Sequence, residues 1–116
     1  MIQWRTLADT ATVDAIADMS MQTPVLIFKH STRCSISSMA KMRLEQDWTL
    51  SPEAVVPYYL DLITYRPVSQ YIADKFSVWH ESPQVLLISK GECVYDASHL
   101  DIQVAELEEE LQATNS

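Results

Sequence analysis

The stretch FKHSTRCSIS, residues 28–37, places a thiol directly after a predicted strand and at the start of a predicted helix. The apolar run VLIF, residues 25–28, is too short for a helix and is typical of a strand buried on both faces. Residues 36–47 then repeat apolar side chains at helical spacing. The sequence therefore predicts a central strand that leads through Cys34 into a helix.

The remaining elements continue this alternation of strands and helices. Residues 55–62, VVPYYLDL, indicate a second strand, which completes a βαβ unit, and another helix begins at Pro67. Residues 85–88 and 93–95 predict a hairpin around Lys90-Gly91, where the only glycine of the chain supplies a positive φ. Amphipathic helices are predicted over residues 11–21, capped by Asp9 or Thr10, and over residues 102–111.

These elements predict one α/β domain over residues 1–116, with a four-stranded mixed sheet flanked by helices on both faces in three layers. The chain carries 8 basic and 16 acidic residues, a formal charge of −8, so we expect no nucleic-acid partner. Four glutamates near the C-terminus contribute to this charge and are expected on a solvated helix face.

No targeting or membrane segment is expected. The first residues, MIQWR, do not begin a secretory signal, and no apolar run approaches the roughly 18 residues of a membrane span. We therefore expect a cytoplasmic protein without a membrane partner. The two cysteines, Cys34 and Cys93, imply no disulfide framework and would stay reduced there.

Cys34 is the candidate nucleophile. Unpaired N–H groups at a helix start favour an anion, and Arg33, Lys29 and His30 add positive charge nearby, so we expect a thiolate at neutral pH. The alternative is a small residue packed in a core, and this interpretation is favoured for Cys93. His30 could orient or polarise the thiol, although a histidine that ends a strand is more often a surface hydrogen-bonding residue.

Several catalytic templates fail on spacing. A Cys-x-x-Cys pair is absent because position 37 is Ser37, and a Cys-x5-Arg loop is absent because position 40 is Ala40. The histidines and cysteines show no ligand spacing, so no metal site is expected. What remains is Cys-x-x-Ser, in which Ser37 can donate a hydrogen bond to the thiolate but cannot displace a mixed disulfide.

Ser82-Pro83, just before a predicted strand, looks like the cis-proline loop that faces the active-site cysteine of the thioredoxin fold. The resemblance implies a cis bond, with the backbone of Ser82 offered to an incoming disulfide.

The chain is similar to the monothiol bacilliredoxin family in the stretches VLIFKHSTRCSISSMA, YYLDL, SQYIADKF, HESPQVLLISKGECVYDASH and DI. This resemblance implies that Cys34 removes bacillithiol from S-bacillithiolated proteins as a mixed disulfide, which free bacillithiol then clears. Bacillithiol would be a co-substrate, with no bound cofactor. The family commonly has a proline after its cysteine, where this chain has Ser35.

Bacillithiol carries a malate group, so the resemblance gives Arg33 and Lys29 a role as carboxylate partners. Trp79 is expected either to line the substrate groove or to lie buried in the core.

Two other functions stay open at this point. One is a non-catalytic thioredoxin-fold binding module, and the other is a monothiol oxidoreductase that uses glutathione or coenzyme A.

Overall fold

The computed structural model describes residues 2–114, so Met1, Asn115 and Ser116 of the predicted domain lie outside the described residues. Within this range the strands are β1 Arg5–Thr6, β2 Val25–His30, β3 Val56–Asp61, β4 Gln84–Ser89 and β5 Glu92–Ser98. The α-helices are α1 Thr10–Met19, α2 Ser35–Asp47, α3 Arg66–Phe76 and α4 Val104–Thr114. A short 3-10 helix, His99–Asp101, connects β5 to α4.

The strands form one mixed sheet in the order β1-β3-β2-β4-β5. β2 is central, as predicted, and pairs in parallel with β3 and antiparallel with β4. The prediction of four strands is wrong by one, because β1 pairs in parallel with the outer edge of β3. A two-residue strand whose side chains are both exposed has no apolar alternation by which the sequence could reveal it.

Two apolar cores, one on each face of the sheet, confirm the three-layer arrangement. Leu26 and Phe28 pack towards α2 and α4, whereas Val25 and Ile27 pack towards α1 and α3. This division follows from the strand geometry, in which successive side chains point to opposite faces. All six residues of β2 are buried, as the unbroken apolar run predicts for a central strand.

Local signals in the sequence are also confirmed. Asp9 caps α1 and accepts a hydrogen bond from the Thr12 N–H at 2.7 Å. Lys90 and Gly91 join β4 to β5 with φ angles of 55° and 81°, as a type I′ hairpin turn requires. Along α4, Glu108 and Glu109 are exposed, as predicted for a solvated helix face.

The topology gathers three chain segments at one edge of the sheet. β2 and β3 run in parallel with His30 opposite Asp61, so both strands end at this edge. β4 runs the other way and begins there, with Gln84 opposite Lys29. The Ser82-Pro83 bond just before β4 is cis, as the resemblance implied. Over residues 2–114, none of the helices combines the length and apolar character needed to cross a membrane.

Candidate active site

Cys34 occupies the N-cap position of α2, where the chain changes from extended to helical backbone. Its φ and ψ angles are −109° and 120°, and its carbonyl oxygen accepts the first helical hydrogen bond, from the Ser38 N–H at 3.1 Å. A side chain at this position faces the N–H groups of the first helical turn, which have no partner within the helix. The predicted position of the thiol, between a strand and the start of a helix, is confirmed.

The first turn of α2 lowers the pKa of the Cys34 thiol. The main-chain N–H of Ser37 makes the largest contribution, partial burial opposes it, and the Ile36 N–H and the Ser37 hydroxyl add to the lowering. All three donors favour the thiolate over the thiol because a charged sulfur is the stronger acceptor. Cys34 is partly exposed and its neighbours Arg33 and Ser35 are exposed, so a substrate can reach the sulfur.

Ser37 connects the thiol to the loop before it. Its side chain is fully buried, and its Oγ accepts a hydrogen bond from the Ser31 N–H at 3.3 Å. The hydroxyl proton remains free to donate, and the Ser37 hydroxyl contributes to the lowered pKa of the Cys34 thiol. One hydroxyl therefore fixes the loop of residues 31–34 and stabilises the thiolate at the same time.

His30 lies on the α2 side of the sheet and is buried, with 4% of its surface exposed. The interpretation of His30 as a surface residue is therefore wrong. Its ring packs between Phe28 and Tyr59, with centroids 5.6 and 5.4 Å away. Burial first, and then the charge of Lys41, lower the pKa of His30, which favours the neutral ring. Its Nδ1 is buried without a hydrogen-bond partner among the described residues.

Lys29 does not lie beside the thiol, and this corrects the expectation that it binds a substrate carboxylate there. It precedes His30 in β2, so its side chain points to the opposite face, towards α3, and none of it is exposed. Its Nζ lies 3.5 Å from the Ser69 carbonyl oxygen and 3.4 Å from His80 Nδ1. Burial lowers its pKa to about 8.

Ser82 and Pro83 lie at the same edge of the sheet as the end of β2. Lys29 pairs with Gln84, so the next position along, Pro83, lies beside His30. The Pro83 carbonyl oxygen accepts a hydrogen bond from the His99 N–H at 3.0 Å, which ties the loop to the end of β5. The Oγ of Ser82 is buried and, within residues 2–114, has no hydrogen-bond partner.

Comparison with known proteins identifies families and structures that are similar to this chain. The sequence matches the family model described as Monothiol bacilliredoxin BrxC over residues 5–107. The chain belongs to the monothiol bacilliredoxin family. A solved protein described as having a thioredoxin fold, and proposed to be an oxidoreductase, is similar at 31% identity, with a TM-score of 0.77 and 90% of each chain covered.

More distant structures share the fold alone. Thioredoxin from Malassezia sympodialis is 12% identical with a TM-score of 0.76, over 100% of this chain and 94% of that one. Thioredoxin from Fasciola hepatica is 19% identical with a TM-score of 0.70, over 95% of this chain and 98% of that one. The thioredoxin-like fold predicted from the sequence is thus confirmed, and family and fold together make this bacilliredoxin a redox thiol protein.

Sequence reasoning missed several residues around the bacilliredoxin site. Gln84 is buried, and its amide donates to the Trp79 carbonyl oxygen at 2.9 Å, which holds the loop before Pro83. Trp79 itself is 91% exposed, so the alternative of a buried core residue is wrong. His80 contacts Lys29 and Ser69. A single glutamine, or a tryptophan in a loop, carries no periodic signal from which such placement could be read.

Cys93 differs from Cys34 in both placement and ionisation. It packs against the core on the α1 and α3 side, and its thiol contacts the Tyr95 carbonyl oxygen at 3.3 Å. Burial raises its pKa to about 11. Cys93 is therefore a thiol at neutral pH, as expected of a packing residue. Among the described residues, no group of three or more histidine, cysteine or acidic side chains is placed to hold a metal ion.

Proposed function

We propose that this chain removes bacillithiol from S-bacillithiolated proteins by thiol-disulfide exchange at Cys34. The observation that carries the proposal is a partly exposed sulfur at the N-cap of α2, where the N–H groups of the first helical turn lower its pKa. Membership of the monothiol bacilliredoxin family supports the choice of bacillithiol. Since the protein would need Cys34 in its reduced form, the reducing cytoplasm is the proposed location.

The reaction takes two exchange steps. The Cys34 thiolate attacks the bacillithiol sulfur of the mixed disulfide, a new S–S bond forms, the old one breaks, and the protein thiolate leaves and takes up a proton. The thiolate of a second bacillithiol then attacks the adduct on Cys34, which gives bacillithiol disulfide and restores the Cys34 thiolate. The net change consumes one bacillithiol and oxidises it, while the modified protein is reduced.

Each neighbouring residue has a proposed part in these steps. The Ser37 hydroxyl and the α2 amides keep the sulfur anionic before the attack and when Cys34 leaves in the second step. Position 37 holds no thiol, so the bacillithiol adduct waits for a molecule from solution. Arg33, exposed next to the sulfur, is the proposed carboxylate partner, and the main chain of Ser82 is proposed to bind the disulfide-bearing segment.

Intact mass after incubation with an S-bacillithiolated protein tests the proposal. In the absence of free bacillithiol, the chain should gain the mass of one bacillithiol less two hydrogen atoms, and the modified protein should lose the same mass. Cys93→Ser should behave in the same way, whereas Cys34→Ser should gain nothing. A chain that stays unmodified with bacillithiol but takes up glutathione or coenzyme A from matched adducts would overturn the substrate. A Cys34→Ser variant with the same biological activity as the wild type would overturn thiol-disulfide exchange at Cys34 as the function.

A further inference from the structure

Within residues 2–114, Lys29 is a buried cation without a charged partner. None of its surface is exposed, and its Nζ contacts only neutral groups, the Ser69 carbonyl oxygen and His80 Nδ1. The ion pairs that the described residues form join other side chains. A lysine is almost never fully buried unless it is paired, because the interior solvates a charge poorly. The missing counter-charge in a chain of net charge −8 calls for an explanation.

The Lys29 ammonium determines how His80 presents its ring. An ammonium group can only donate, so His80 Nδ1 accepts from Lys29 Nζ at 3.4 Å, and the Ser69 hydroxyl lies 3.2 Å from the same nitrogen. This contact favours the tautomer that carries the ring proton on Nε2. Burial first, and then the charge of Lys29, lower the pKa of His80 against the opposing charge of Glu81, which favours the neutral ring at pH 7. The Nε2–H is then a hydrogen-bond donor, and the Lys29 ammonium contacts the other nitrogen of the same ring.

His80 borders a depression of about 370 Å³ that we call the His80 pocket, lined by Leu62, Arg66, Pro67, Ser69, Gln70 and His80. Arg66 is exposed at the start of α3, and His80 is exposed apart from the ring edge that faces Lys29. No carboxylate belongs to this lining; Asp74 borders the adjoining depression and accepts from the Gln70 amide at 3.1 Å. The lining therefore offers two donors of positive character and no acidic side chain, while the neighbouring Glu81 acts on the His80 ring and has its own partner in His99 Nε2 at 3.6 Å.

The His80 pocket lies at the same sheet edge as the thiol. The Leu62 N–H donates to the His30 carbonyl oxygen at 2.9 Å, and His30 precedes Cys34 by four positions. His80 precedes Pro83 by three positions in the loop that leads into β4. A molecule whose sulfur meets Cys34 can thus extend over the end of β2 towards Arg66.

We propose that the His80 pocket binds a carboxylate group of the low-molecular-weight thiol, through the Arg66 guanidinium and the His80 Nε2–H. This inference rests on the proposed function, because it assigns a subsite to the same thiol adduct. A carboxylate suits the planar fork of arginine, and its negative charge, on the other side of the His80 ring, would partly offset the buried positive charge of Lys29. A malate group carries two carboxylates, so this subsite is compatible with a separate contact to Arg33.

Binding of the malate group alone tests the pocket without any redox step. L-malate is titrated into the reduced full-length protein, and the His80 ring and Arg66 side-chain signals are followed by NMR. Saturable shifts at both residues are expected with L-malate and not with dimethyl L-malate at equal ionic strength. Arg66→Gln should weaken binding about tenfold. Arg5→Gln, the same charge change on the outer strand, should leave it unchanged. Equal weakening in both variants, or no shifts at His80, would overturn the proposal.

Kinetics then separates this inference from the proposed function. The wild type and Arg66→Gln are compared on one protein that carries either bacillithiol or 2-mercaptoethanol as its mixed disulfide. We expect Arg66→Gln to slow removal of bacillithiol about tenfold and removal of the neutral adduct little. A wild type that removes neither adduct contradicts the proposed function itself. A functional wild type with Arg66→Gln slowed equally on both adducts overturns the subsite, because Arg66 would then act on a step that both adducts share.

Discussion

Replacing Lys29 with methionine should stabilise the protein at neutral pH. The pKa of Lys29 falls from an ordinary value of 10.5 to about 8 because the side chain is buried. Each tenfold change in proton affinity is worth 1.36 kcal/mol, so keeping this ammonium charged in the folded protein costs about 3 kcal/mol. Methionine fills a similar volume without a charge. After the loss of two long hydrogen bonds, a net gain of about 1 to 3 kcal/mol is expected.

The gain should depend on pH in a defined direction. The pKa of Lys29 is lower in the folded chain than its ordinary value, so between about 8 and 10.5 the unfolded chain binds more protons. The wild type therefore gains stability as the pH rises through this window, because its lysine is neutral in the folded state. The advantage of Lys29→Met should be complete below pH 8 and should disappear by pH 10.5.

Urea denaturation at pH 7 and at pH 10 measures this difference, with the slope of each transition checked for a common unfolded state. The Lys90→Met variant removes an exposed ammonium together with its hydrogen bond to the Met21 carbonyl oxygen at 2.9 Å. It serves as the control and should be less stable than the wild type by at most about 1 kcal/mol at pH 7. A Lys29→Met protein that is less stable than the wild type at pH 7, or whose advantage is the same at both pH values, would refute the reasoning.

Three further substitutions test other parts of the structure. Ser37→Ala should slow alkylation of the Cys34 thiol at pH 7. Because it removes the acceptor of the Ser31 N–H, it should also lower the free energy of unfolding by about 1 kcal/mol. An unchanged rate of alkylation would argue against the hydroxyl as a donor. Arg33→Glu should slow removal of bacillithiol more than reaction with a neutral disulfide, and equal slowing in stopped-flow assays would restrict Arg33 to tuning the pKa of the thiol. Gly91→Ala should cost about 1 kcal/mol in thermal denaturation through its φ of 81°, since the added Cβ meets Met21 Sδ at an ordinary 3.9 Å.

The elements with a strong local pattern could be predicted from the sequence. The apolar run of β2 and the polar loop that follows it place Cys34 at a helix start without any tertiary information. The Lys90-Gly91 turn is equally local, because few residue pairs accept two positive φ angles. β1 could not be predicted, since a pairing of two exposed residues depends on a neighbouring strand far along the chain.

The site was harder to predict than the fold because proximity in sequence is not proximity in space. Lys29 and His30 are both within five positions of Cys34, yet alternation along β2 sends them to opposite faces. That alternation was available in the sequence and would have separated the two roles. The contacts of Lys29 with Ser69 and His80 join residues 40 and 51 positions apart, so only the folded chain could reveal them.

The ionisation of Cys34 tests the account most directly. The rate of iodoacetamide modification is measured against pH on the wild-type protein, with peptide mapping to separate Cys34 from Cys93. The N–H groups of the first turn of α2 predict a rate midpoint for Cys34 below that of free cysteine, and burial predicts a midpoint for Cys93 above it. A Cys34 midpoint at or above that of free cysteine would contradict the claim that the helix start holds this sulfur as a reactive thiolate.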